Sequence, residues 1–305
     1  MSRSCEGRVA VVTGAGRGLG RAHALGLASE GAHVVVNDLG VGLEGTDPAG
    51  DGPGTTVAEA VVGEIAAAGG TAVADGNDVA DFEGARRLVD HALRAFGGLD
   101  VVVNNAGVLR DRMLVNLSWE DWELVLRVHL GATFAVTHHA ARFWRERAKR
   151  GDPVDARVVN VTSGAGLYGN PGQANYSAAK AGVVGFTRTA ALELGRYGVT
   201  VNALAPGGRT RMTEDVFADA MGAAGGDWDP FDPANVTPVV VWLASEGSAG
   251  LTGEVIEAWG GRLALVDGWR PGPTVEIDRR WEPLDAGAAI RRMAEQRGGG
   301  AITGA

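Results

Sequence analysis

Val9-Ala10-Val11-Val12-Thr13-Gly14-Ala15-Gly16-Arg17-Gly18-Leu19-Gly20 decides the fold. An unbroken apolar run, a glycine turn and the start of a helical pattern in that order read as a buried strand feeding a helix. Glycines allow a tight turn and close backbone approach, and the free N–H groups of a helix start attract an anion. The stretch therefore predicts a phosphate cradle at the end of a first strand, with Gly14, Arg17, Gly18, Leu19 and Gly20 as its contacts.

Outward from it, short β-branched runs recur at His33–Asn37, Thr71–Ala74, Asp100–Val103, Arg157–Val161, Thr200–Leu204 and Glu254–Ala258. Helical patterns lie between them at Leu19–Glu30, Thr56–Ala68, Asp81–Phe96, Trp119–Arg147, Asn175–Arg196 and Val236–Ala244. Alternation of this kind predicts an α/β, Rossmann-type, doubly wound parallel sheet in a single domain, residues 1–261, with a C-terminal extension at 262–305. Gly40–Gly54 reads as an exposed loop, and residues 207–235 as a substrate lid rich in acids (Glu214, Asp215, Asp219, Asp227, Asp229, Asp232) against Arg209 and Arg211. Pro271 and Pro273 break any long element in the tail, whose Trp259, Trp269 and Trp281 suggest that its first half packs on something.

Composition narrows the function. Glycine supplies 48 of the 305 residues, as a chain of tight turns requires, and Lys plus Arg (28) fall short of Asp plus Glu (37) to give a net charge of −9. Such a balance disfavours nucleic acid and anionic membranes as partners. No apolar stretch reaches membrane-spanning length and no secretory signal is visible, so a soluble, cytoplasmic protein is expected. The lone Cys5 cannot form an internal disulfide and, at a terminus expected to fray, reads as incidental.

Asp38 closes the second run, 18 residues after Gly20. A carboxylate there accepts ribose hydroxyls and repels a 2′-phosphate, which favours NAD over NADP, although Arg17 could pair with that phosphate. Tyr176 and Lys180 share one helix face, and Ser163 lies just past the fifth run. An ammonium about 4 Å from the phenol would lower its pKa by up to about three units at an effective dielectric near 20. Tyr176 is then a general acid/base for an alcohol or ketone, with Ser163 holding the reacting oxygen. No metal site is expected.

These residues carry a resemblance. With Val36-Asn37-Asp38-Leu39-Gly40, Asn104-Asn105-Ala106-Gly107, Leu109-Arg110-Asp111-Arg112 and the run Tyr168 to Lys180, the chain resembles the short-chain dehydrogenase/reductase family over about residues 7–261. The likeness is to the sub-family that includes (3R)-hydroxyacyl-CoA dehydrogenases. It implies Ser163, Tyr176 and Lys180 as a catalytic triad, with Lys180 also holding the nicotinamide ribose. It implies cofactor contacts from Asp78 and Val79 at adenine, from Asn105, Ala106 and Gly107 after the fourth strand, and from Pro206, Gly207 and Thr210 at the carboxamide. His129 stands where many members have an asparagine that completes a proton relay; a relay role and a merely packed histidine both stay open. The implied partner is a small-molecule substrate, with a 3-hydroxyacyl/3-oxoacyl thioester such as an acyl-CoA first, and a homodimer or homotetramer is implied through the long helices. Alternatives are a ketoreductase for a steroid, polyketide or other natural product, and, in another class, a non-catalytic dinucleotide-binding sensor.

Overall fold

A computed structural model describes residues 3–40, 56–208, 228–268 and 270–296. The chain divides into two compact units, Met1–Leu265 and Val266–Ala305. In the first, eight strands form one sheet in the order β3-β2-β1-β4-β5-β6-β7-β8. They are β1 (Val9–Thr13), β2 (His33–Asn37), β3 (Thr71–Asp75), β4 (Val101–Asn104), β5 (Ala156–Val161), β6 (Val199–Gly207), β7 (Val255–Trp259) and β8 (Arg262–Leu265). All pairs are parallel except β7–β8. Strand order reverses between β1 and β4, so a crevice opens beyond their carboxyl ends, where ligands of doubly wound sheets bind.

The expected parallel sheet is thus extended by one antiparallel edge strand. The helices are α1 (Gly18–Ser29), α2 (Val57–Ala67), α3 (Phe82–Phe96), α4 (Trp119–Leu126), α5 (Ala132–Lys149), α6 (Gly164–Tyr168), α7 (Ala174–Leu194) and α8 (Thr237–Ala244). Side chains set several of their starts: Thr56 and Glu59 form a reciprocal capping box on α2, and Asp81 and Ser118 cap α3 and α4. The single helix expected over Trp119–Arg147 is interrupted by a π-helical turn at Arg127–Gly131. Turns of this kind are rare but frequent at functional sites, and His129 lies buried within this one.

Both faces of the sheet are covered. One core layer gathers Val12, Val34, Val36, Leu27 and Ile65, the other Val11, Val35, Leu88, Val102 and Trp144. Burial on both faces explains why the strands read as continuous apolar runs instead of alternating. Cys5 departs from expectation: it is 1% exposed within the first layer, its Sγ 3.6 Å from the Val241 carbonyl oxygen, and burial pushes its thiol up to about 11. The chain near it is pinned by hydrogen bonds to Glu30 and is not frayed.

The second unit carries α9 (Pro283–Gln296), a helix entered through proline. Trp281 is exposed there, and Trp269 lies outside the described residues, whereas Trp259 belongs to the first unit and stacks on Phe231 at 6.2 Å. No helix among the described residues is long and apolar enough to cross a membrane.

Candidate active site

The glycine turn occupies the crevice end of β1. Gly14 and Gly18 have φ of +62° and +52°, which L side chains rarely adopt. A Cβ on Gly20 would stand 2.1 Å from the Gly14 carbonyl oxygen, and one on Gly14 would stand 2.8 Å from the Ala106 Cα. Asn105 seals this contact by donating from Nδ2 to the carbonyls of Thr13 (3.0 Å) and Gly14 (3.1 Å). The Thr13 hydroxyl accepts from the backbone of Asn105 and Ala106. Arg17 is the N-cap of α1 and gives it no side-chain cap, so the first N–H groups of that helix are left for an anion.

Asp38 lies across the same turn, its two carboxylate oxygens accepting from Gly16 N at 2.9 Å and Gly40 N at 2.8 Å. Asp78 follows β3 half-buried and accepts from Ala80 N, while Val79 is buried in the second core layer. Leu19 reaches toward Gly208, whose Cβ would stand 3.3 Å from it. Pro206 and Gly207 end β6, and Thr210 lies outside the described residues. The glycine cradle, uncapped helix start and strand-end carboxylate together fit a dinucleotide.

Ser163, at the end of β5, has extended backbone and caps the short α6. Its side chain stands beside the Tyr176 phenol, whose pKa it lowers. Lys180, one turn along α7, is buried, and its Nζ donates to the Val161 carbonyl at 2.7 Å. Gly166 makes this juxtaposition possible, since a Cβ there would stand 2.6 Å from the Lys180 Cβ and press α6 off α7. Sequence reasoning missed it; a glycine three residues beyond Ser163 was the available signal.

Ser163 and Tyr176 line a cavity of about 390 Å³, with Leu109, Gln173, Glu257 and Trp259 among its other walls. The segment before α4 is stitched to this wall: Arg112 N donates to Gly172 O at 2.8 Å, and Gln173 Nε2 donates to Asp111 Oδ2 at 2.7 Å. Beneath the site, Asn104 bonds Asn160 and Thr137, and Asn160 bonds Thr187, tying β4 and β5 to α5 and α7 through buried amides.

The electrostatics correct one expectation. Lys180 Nζ is 5.7 Å from the Tyr176 ring centre, and burial lowers its pKa to about 7. Burial drives the Tyr176 phenol above its ordinary value; the Ser163 hydroxyl opposes this and the Asp111 carboxylate adds to it. Burial outweighs the opposing Ser163 hydroxyl, so the phenol holds its proton more tightly, not less.

His129 is 2% exposed, with Nε2–H donating to Val108 O at 2.8 Å and its ring edge-on to Tyr176 at 5.1 Å. A Cβ on Gly107 would stand 2.3 Å from its Cε1. Burial, then the nearby Lys180, hold it well below its usual pKa, and Nδ1 has no partner among the described residues.

A family model described as enoyl-(acyl carrier protein) reductase matches residues 14–262. With the fold and this site, that match places the chain in the short-chain dehydrogenase/reductase family, as an NAD-dependent oxidoreductase acting on CH–OH groups. A short-chain dehydrogenase crystal structure from Mycobacterium avium superposes with a TM-score of 0.85 at 50% identity, covering 96% of each chain. Hydroxyacyl-CoA dehydrogenase ChsB1 of Mycobacterium tuberculosis is 44% identical over 94% of this chain and 88% of its own length. Peroxisomal multifunctional enzyme type 2 of Drosophila melanogaster is 44% identical over 86% of this chain, which spans 41% of that relative. Several relatives are named as peroxisomal enzymes, which overturns the cytoplasmic expectation: the absence of a signal and of a membrane span does not separate the two compartments.

Proposed function

We propose that this chain interconverts 3-hydroxyacyl and 3-oxoacyl thioesters with NAD(H), and that Tyr176 moves the proton. The observation that carries the reading is Ser163 and Tyr176 side by side on the wall of the cavity, with Lys180 buried behind them. The kinship with hydroxyacyl-CoA dehydrogenase ChsB1 and with the multifunctional enzymes supports the substrate class.

The dinucleotide, when bound, supplies the two-electron acceptor or donor and, oxidised, a positive charge. Gly14, Arg17, Gly18, Leu19 and Gly20 would hold its phosphates, Asp38 the adenosine ribose, and Asp78 and Val79 the adenine. Asn105, Ala106, Gly107, Pro206 and Gly207 would line its nicotinamide half. Each Asp38 oxygen already accepts one backbone N–H and keeps a lone pair for a ribose hydroxyl, whereas a 2′-phosphate would meet its charge; NAD is preferred on that ground.

In ketone reduction Tyr176 donates its proton to the carbonyl oxygen while Ser163 holds that oxygen in place. A raised phenol pKa suits this direction, because the group is fully protonated at neutral pH. In alcohol oxidation the same phenol accepts the hydroxyl proton. Lys180 orients the nicotinamide ribose, anchored through Val161. A panel of a 3-oxoacyl-CoA, a steroid-side-chain thioester and a neutral polyketide-like ketone, each with NADH at 340 nm, tests the reading. Turnover of the thioesters at tenfold or greater kcat/KM is expected; equal or better turnover of the free ketone would reassign the substrate class, and NADH binding with no turnover at all would favour a sensor.

A further inference from the structure

A buried carboxylate outside the cavity takes no part in this chemistry. Asp75 ends β3, 4% exposed, directly opposite Asn37 at the end of β2. Its Oδ1 accepts from Asn37 Nδ2 at 2.8 Å and Asn77 N at 2.9 Å. Its Oδ2 accepts from Asn77 Nδ2 and from His91 Nδ1 on α3, both at 2.8 Å. Asn37 Nδ2 also reaches Asn77 O at 2.9 Å, and Arg87, also on α3, donates to Asn77 Oδ1 at 2.9 Å. Burial raises the Asp75 carboxyl, but the hydrogen bonds from Asn77, His91 and Asn37 outweigh it and hold it ionised below the usual range.

The residues so fixed are the immediate neighbours of Asp38 and Asp78. The Asp75 carbonyl itself accepts from Asp38 N at 3.0 Å. We infer that Asp75 and His91 are positioning residues for the adenosine half of the dinucleotide, setting the spacing between the ribose carboxylate at the end of β2 and the adenine loop after β3. His91 is the outer member, its side chain 30% exposed, and it anchors the carboxylate to α3. The assignment rests on the NAD reading of the glycine turn and Asp38.

The test is calorimetric titration of NAD into cofactor-free protein, wild type, His91→Phe and His91→Gln, with thermal melts of each. Loss of one charge-assisted hydrogen bond is expected to weaken NAD about tenfold in His91→Phe. His91→Gln, which can still donate to Asp75, should stay within about threefold of wild type. At saturating NAD the kcat and the alcohol-substrate KM of both variants should match wild type, because the cavity lies elsewhere. Unchanged NAD affinity in a folded His91→Phe protein would overturn the assignment, as would a kcat that falls along with affinity. A wild type that binds no NAD would instead overturn the dinucleotide reading and this assignment with it.

Discussion

Replacing Lys180 with methionine should stabilise the cofactor-free protein while abolishing its turnover. The amine is 4% exposed, and burial lowers its pKa from 10.5 to about 7. A folded-state value below the unfolded one means that the unfolded chain binds more protons across the interval between them, so stability rises with pH there. At pH 6 the cost of holding this group in the fold is about 5 kcal/mol, taken at about 1.4 kcal/mol per tenfold change in proton affinity. It falls to about 3 kcal/mol at pH 8.5 and vanishes above the unfolded value. Methionine removes this cost but leaves the Val161 carbonyl, now bonded at 2.7 Å, without its donor. That loss is worth about 1 kcal/mol. The net gain is about 4 kcal/mol at pH 6 and about 2 kcal/mol at pH 8.5. Urea unfolding followed by tryptophan fluorescence at the two pH values measures it. Equal stability of the two proteins at pH 6, or a gain that does not shrink with rising pH, would refute the reasoning.

Two further perturbations follow from the packing and the buried histidines. Gly166→Ala should cost about 2–3 kcal/mol and lower kcat more than it raises the KM for NAD, because the added methyl meets the Lys180 Cβ at 2.6 Å and displaces the helix bearing Tyr176. Urea midpoints paired with initial rates check both effects. His23, lowered to about 4, and His129, held well below its ordinary value, stay neutral in the fold while the unfolded chain protonates them near 6.5. Stability should therefore fall on acidification below about pH 6.5, by up to about 1.4 kcal/mol per pH unit for each histidine. His129→Gln should flatten that slope, and an unaltered slope in its unfolding curves would count against a neutral His129.

What could be read before folding follows from signals that are local in the chain. Strands covered on both faces are continuous valine-rich runs, and so β1 to β7 stood out. Glycines that bind phosphate must be contiguous, and Tyr176 with Lys180 needs only one turn of helix. The parts not read depend on contacts across the fold. β8 is a four-residue edge strand whose side chains are largely exposed, so no apolar pattern marks it. The role of Gly166 depends on α7 crossing it, and that of Asp75 on Asn37, Asn77 and His91 converging from three elements. The direction of the Tyr176 pKa was misjudged because charge proximity was counted and desolvation was not. Cys5 was read by its place near the terminus, when the hydrogen bonds to Glu30 decide its burial.

Proton transfer by the Tyr176 phenol is the central claim, and its removal is the most direct test. Tyr176→Phe keeps the ring that meets His129 at 5.1 Å and deletes only the hydroxyl beside Ser163. With a 3-hydroxyacyl-CoA and NAD followed at 340 nm, turnover should fall about 10³-fold or more while NAD affinity stays within a few-fold of wild type. A phenylalanine variant that turns over within tenfold of wild type would place the acid/base group elsewhere.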